Sequence, residues 1–431
     1  MPSRPRTLAL AAGTVAVLIL MPAAPAVAAP STIRVSASAA GVQGNRSSAE
    51  ASFSADGRFV AFSSHSTNLV PGDTNRRGDI FVRDLRTGTN ARANLGPGGV
   101  QANLPSNQPD ISANGRFVAF SSFATNLVPG DTNGQPDVFL RDMVNGTTQL
   151  VSVGIGGALA NGDNAAPAVS STARFVAFIS GASNLVPGDT NATSDVFVRD
   201  MQNGVTRRMS VSTGGAQANA FSDGPDISGD GRYVTFNSPA SNLVPGDTNG
   251  FIDVFVRDRF TATTQRISVG PGGVQADGPV SQSVISVDGT HAAFMSEATN
   301  LVATDTDPDS DILVRDLVTG TNTRVSRRTD FLPGSFSNDP AINGDGNLVA
   351  FVTSSSLVPA DTNSQPDIYL RDVAAARDIL ISIGLGGAPA DLASAGPAIS
   401  AQGLRVAFTS DATNLVANDT NGFGDVFVRF R

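Results

Sequence analysis

The sequence predicts an all-β fold: a seven-bladed β-propeller of four-stranded antiparallel blades, the last blade closed by the N-terminal strand. Three observations predict it. The stretch "NLVPGDTNGQPDVFLRD" (Asn126 to Asp142) returns as "NLVPGDTNATSDVFVRD" from Asn184 and as "NLVPGDTNGFIDVFVRD" from Asn242. Aligned on the Asp of "DTN" or its equivalent, seven copies begin at Asp73, Asp131, Asp189, Asp247, Asp305, Asp361 and Asp419, spaced by 58 residues with one interval of 56. Fixed self-similarity of this kind marks a repeat architecture rather than the three domains that 431 residues would otherwise suggest.

The chain opens with Arg4 and Arg6, an apolar run from Leu8 to Met21, and the small residues "PAAPAVAA". This pattern predicts a secretory signal peptide over residues 1–28, cut after Ala28, and a single propeller domain over 29–431. No second apolar run approaches the twenty residues that a membrane-spanning helix needs. An extracellular or periplasmic location, with no membrane span, is the expectation. There is no Cys, so neither a disulfide framework nor a lipidated cysteine supports the fold.

Within each copy the order is the same. A short piece ending in "IS" (Asp110 to Ser112) meets a tight turn, followed by "RFVAFSS" (Arg116 to Ser122), the long acidic loop, and "DVFLRD" (Asp137 to Asp142). A second tight turn leads into "TQLVSVG" (Thr148 to Gly154) and a Gly-rich return. Four β-rich runs bounded by turn residues, without a helical period, make one antiparallel sheet. The seventh copy stops after its third strand, at "DVFVRFR", while "TIRVSAS" (Thr32 to Ser38) matches the fourth-strand segment "TQRISVG" (Thr264 to Gly270). Closure by that N-terminal strand would complete the last blade and remove an exposed edge; a monomer is expected.

These turns and strands resemble the WD40-like repeats of TolB-type propellers, at Phe53–Phe62, Ile111–Phe120, Ile227–Phe236 and Ile342–Phe351, each with a following "D-[VI]-[FYL]-[VL]-R" partner. The resemblance spans residues 32–431. It implies the propeller fold, and a role among those such propellers serve: periplasmic scaffolds, gates on peptidases, and some lyases. The chain departs from TolB itself in lacking its N-terminal domain and in having a longer loop before "DVF".

Composition narrows the partner class. The net charge is −9, all 29 basic residues are Arg, and Glu occurs only at Glu50 and Glu297. An acidic chain without a basic tract is not built to displace counterions from nucleic acid. There is no Trp, and Tyr233 and Tyr369 sit inside strands, so platforms for sugar stacking are absent. Phe251 and Phe423 lie within the acidic loops, where exposed aromatic residues anchor protein or peptide partners. His65 and His291 are four blades apart, and no G-x-S-x-G or H-E-x-x-H motif occurs. The expected function is therefore non-enzymatic binding or scaffolding; the alternative is a metal-dependent hydrolase or lyase of the propeller type. "RGD" at Arg77 to Asp79 is one copy's version of "QPD" and "TSD", and not an adhesion signal.

The acidic loops carry two readings. Asp and Asn at turns bond their own backbone, which makes the loop plain turn chemistry. They also place side-chain oxygens at positions 1, 3 and 7, which suits Ca2+. The candidate ligands are Asp131, Asn133 and Asp137; Asp189, Asn191 and Asp195; Asp247, Asn249 and Asp253; Asp361, Asn363 and Asp367; Asp419, Asn421 and Asp425. The fifth copy offers the densest set, with Asp305, Asp307, Asp309 and Asp311 at alternate positions. The first copy is the poorest, since Arg76 and Arg77 enter the same loop.

Overall fold

The computed structural model describes residues 31–305, 309–327 and 335–431. The signal peptide expected over residues 1–28, and Asp307, lie outside them. The described chain forms seven sheets of four antiparallel strands. Blade 1 runs from Ser48 to Arg92, and the others follow in chain order. In blade 7 the strand Thr32–Arg34 pairs with Asp425–Phe430, Ile33 opposite Val428, and so closes the ring as the sequence predicts. No helix among the described residues is long and apolar enough to cross a membrane.

The two middle strands of each blade are buried on both faces, which explains their near-continuous apolar runs. In blade 2, Val118, Phe120 and Phe139 pack toward blade 1, against Ala61, Ile80 and Val82. Their neighbours along the same strands, Ala119, Val138 and Leu140, pack toward blade 3, against Val176, Phe178 and Phe197. Side chains that alternate across a strand thus join each blade to two others. Within a blade, facing aromatic residues stack; Phe120 and Phe139 are directly opposite, with ring centroids 5.9 Å apart. Six blades have such a pair, and each pair adds about 1 kcal/mol beyond its buried area.

The innermost strands line a central channel of about 540 Å3. Every one carries a bulge at the same register position. The bulge residue is left-handed in all seven blades, and five of the seven are not glycine: Glu50, Gln108, Ala166, Gln282 and Asp339. Side chains from one blade hold the next in this conformation. Glu50 Oε2 accepts from the Gln108 backbone N–H at 2.7 Å, and Gln108 Oε1 from that of Ala166 at 3.0 Å. Nothing in the sequence pattern announces these bulges, and the hydrogen bonds that hold those at Gln108, Ala166 and Asp339 come from the neighbouring blade.

Candidate functional site

The acidic loops and the blade-to-blade returns emerge on one face. Gln101 of the return after blade 1 donates to the Gly72 carbonyl (2.7 Å) and to Thr74 Oγ1 (3.2 Å) of the acidic loop. Leu127 is buried beneath its loop, with Val128 partly buried beside it.

Position 7 of every loop is a structural carboxylate. Asp79, Asp137, Asp195, Asp253, Asp311, Asp367 and Asp425 have no exposed surface. Each accepts from a serine or asparagine after its blade's fourth strand: Asn94, Ser152, Ser210, Ser268, Ser326, Ser382 and Ser36, at 2.5–2.7 Å. Position 3 turns its amide N–H toward the same group. Asn133 donates to Asp137 (2.9 Å), Asn191 to Asp195 (3.0 Å), Asn249 to Asp253 (3.1 Å), Asn363 to Asp367 and Asn421 to Asp425 (both 2.8 Å). The amide oxygens of Asn133, Asn249, Asn363 and Asn421 cap the loop backbone instead, as Asn133 Oδ1 does for the Gln135 N–H at 3.1 Å. Burial of Asp79 in this arrangement also takes the carboxylate of "RGD" off the surface, although Arg77 stays exposed.

Positions 1 and 7 are brought together, and in five blades an arginine from the fourth strand lies between them. Arg92 holds Asp73 at 2.7 Å, with Asp79 at 3.7 Å. Arg208 bridges Asp189 and Asp195 at 3.2 and 3.5 Å. Arg266 bridges Asp247 and Asp253 at 2.9 and 3.1 Å. Arg324 bridges Asp305 and Asp311 at 3.3 and 2.8 Å. Arg34 bridges Asp419 and Asp425 at 2.7 and 3.2 Å. The fifth copy, densest in carboxylates, thus already has a counter-ion at both ends of its described loop. These arginines were legible as "TQR", but nothing along the chain says that they fold back into the acidic loop.

Blades 2 and 6 differ. Their fourth strands carry Leu150 and Leu380 where the others carry arginine. In blade 6, Tyr369 replaces the usual phenylalanine, and its hydroxyl donates to Asp361 Oδ2 at 2.6 Å. Burial, with the Asp361 charge adding to it, still pushes Asp367 up to about 6. In blade 2, burial and then the charge of Asp137 push Asp131 up to about 6. Among the described residues no three His, Asp or Glu side chains cluster closely enough to hold a metal ion by themselves.

The Arg141–Asp142 pair that ends the third strand divides its contacts between two blades. Asp142 accepts from the Val144 and Asn145 N–H groups (3.0 and 3.1 Å), capping the turn, and from Arg116 of the same blade at 2.6 Å. Arg141 reaches the preceding blade, but it meets the Leu95 carbonyl at 3.1 Å rather than a carboxylate.

A second group of acids, missed in the sequence, lies in the central channel. Its lining includes Asp110, Asp226 and Asp339 and no basic side chain. Asp226 accepts from the Ile227 and Ile285 N–H groups, both at 2.8 Å, yet burial and the nearby Asp110 push it up to about 7. Because the folded chain holds this proton to a higher pH than the unfolded chain does, stability falls as pH rises from about 4 to 7, then levels off. Blades 3, 6 and 7 carry alanine at this register position, at Ala168, Ala341 and Ala398. Asp226→Ala should therefore fold, and it should lose on the order of 2 kcal/mol less than the native chain between pH 5 and pH 8. Urea unfolding at the two pH values checks this, and equal losses would refute it.

The chain is a seven-bladed β-propeller, and TolB-like and WD40 propellers are among the solved structures it resembles. An oligogalacturonate lyase in complex with manganese is 12% identical over 93% of this chain and 92% of its own, with a TM-score of 0.56. A puromycin-hydrolyzing peptidase of Mycobacterium tuberculosis is 13% identical over 89% of this chain and 53% of its own, with a TM-score of 0.52. A putative TolB from Agrobacterium tumefaciens is 16% identical over 65% of this chain and 80% of its own, with a TM-score of 0.41. At these identities the likeness shows the fold alone. No protein-family model matches the chain, and no curated protein does.

Proposed function

We propose that the protein is a non-enzymatic binding scaffold, working outside the cytoplasm, that presents its acidic-loop face to a protein or peptide partner. The observation that carries this reading is a set of exposed apolar side chains on that face. Val100, Ile155, Val274 and Leu385 project from the blade-to-blade returns and are each more than half exposed. Phe251 and Phe423 project from the acidic loops. The returns and loops are tied together: the Ile155 N–H donates to the Asn184 carbonyl and the Leu385 N–H to that of Asn414. Apolar groups held on a rigid, charged surface are what a partner buries at the centre of an interface. The buried arginine bridges of five blades support the reading by holding those loops rigid.

Ile155→Ser with Phe251→Ser and Leu385→Ser tests it. All three side chains are exposed, so the melting temperature should hold within about 2 °C. Saturable binding of a partner recovered on the native protein should weaken at least tenfold. Unchanged binding would move the interface elsewhere. Turnover of a glycan or peptide in a hydrolase and lyase panel would replace the scaffold reading with the catalytic one.

A further inference from the structure

Five blades show what the acidic loop is built to hold. Between the position 1 and position 7 carboxylates lies a cation, the guanidinium of the fourth strand. In three of the five a glutamine of the return strand accompanies it: Arg34 donates to Gln43 Oε1 at 2.7 Å, Arg266 to Gln275 Oε1 at 3.2 Å, and Arg208 to Gln217. Blades 2 and 6 lack both residues, whereas blade 5 keeps Arg324 with no glutamine between it and Ser337. Blade 2 has Leu150 and Leu159 at these positions, and blade 6 has Leu380 and Pro389.

The two blades then part. Blade 6 replaces the lost donor with the Tyr369 hydroxyl, whereas blade 2 keeps Phe139 at that register position. Asp137 in blade 2 has neutral donors: Ser152 Oγ (2.6 Å) and Asn164 Nδ2 (3.1 Å) on Oδ1, and Asn133 Nδ2 (2.9 Å) on Oδ2. Asp131 has no such help. It is only 5% exposed, and its Oδ1 is buried without a hydrogen-bond partner. A buried carboxylate in that state costs several kcal/mol unless something pairs with it.

We propose that Asp131 and Asp137 of blade 2 bind one hard divalent cation of the Ca2+ class, standing in for the arginine of the sister blades. Two carboxylates with no cationic side chain between them call for two positive charges. The donors are oxygens throughout, which selects a hard ion over a soft one. Leucine at 150 leaves the guanidinium's place to the ion and the waters that complete its shell. This inference narrows the Ca2+ reading of the loops from six copies to one, and it does not depend on the partner-binding face.

The test is calorimetric titration and thermal melting of the chelator-treated protein with Ca2+, Mg2+ and Mn2+. Ca2+ should bind one ion per chain, with half-saturation between about 0.1 and 1 mM. At 10 mM it should raise the melting temperature by about 2 to 5 °C. Asp131→Asn should remove the response, while Asp361→Asn in blade 6 should leave one ion per chain. Leu150→Arg with Leu159→Gln rebuilds the sister arrangement; it should melt higher than the metal-free native protein and ignore all three ions. Flat titrations of the native protein with every ion would overturn the proposal, the more so if the rebuilt variant still melts higher, since the pair would then hold a proton instead. An ion response that survives in the rebuilt variant would also overturn it, by placing the ion elsewhere.

Discussion

Arg266→Leu should lower the unfolding free energy by about 3 to 5 kcal/mol, the usual cost of removing one partner from a buried ion pair. Arg266 is 8% exposed, and it lies between Asp247 and Asp253, whose side chains are 6% and 0% exposed. Without the guanidinium, two carboxylates face each other in a site that water barely reaches. Steric misfit is not the cause, since leucine occupies the same register position in blades 2 and 6. Adding Asp247→Asn should recover part of the loss, because one charge is then gone. Urea unfolding of the two variants beside the native protein measures both effects. A loss below 1 kcal/mol for Arg266→Leu would mean that the bridge contributes no more than a surface pair.

Deleting residues 31–36 should cost roughly 5 kcal/mol or more and make the protein associate. Arg34 carries the blade 7 bridge, Val35 is fully buried in the last core cluster, and Ser36 Oγ donates to Asp425 at 2.5 Å. Loss of the bridge accounts for about 3 kcal/mol or more, and loss of Val35 for about 2 kcal/mol. The strand Asp425–Phe430 would also be left with a free edge, a template for pairing with another chain. Light scattering on the eluted protein should show dimers and larger species, and the melting transition should broaden. A deletion variant that stays monomeric and unfolds as sharply as the native chain would show that closure adds little.

Repetition made the architecture legible. The 58-residue spacing, the four β-rich runs and the matching ends were enough to assign seven blades and the closing strand, because a repeat must bury the same face each time it recurs. The turn chemistry of the acidic loop was legible too, down to asparagine capping its own backbone. The burial of position 7 was not. Along the chain, Asp137 looks like the exposed end of a polar loop, yet its partners Ser152 and Asn164 arrive from 15 and 27 residues away.

What the sequence determined by itself was therefore everything periodic: strand order, blade number and the strand that closes the ring. What only the tertiary structure decided was which charges meet. Whether an acidic loop is neutralised by arginine, relieved by a tyrosine hydroxyl or left bare depends on residues that become neighbours only after the fourth strand folds back along the third. Two positions separate those outcomes, arginine or leucine on the fourth strand and phenylalanine or tyrosine on the third, and their meaning is electrostatic: burial makes an unpaired charge costly, and burial is a property of the assembled fold.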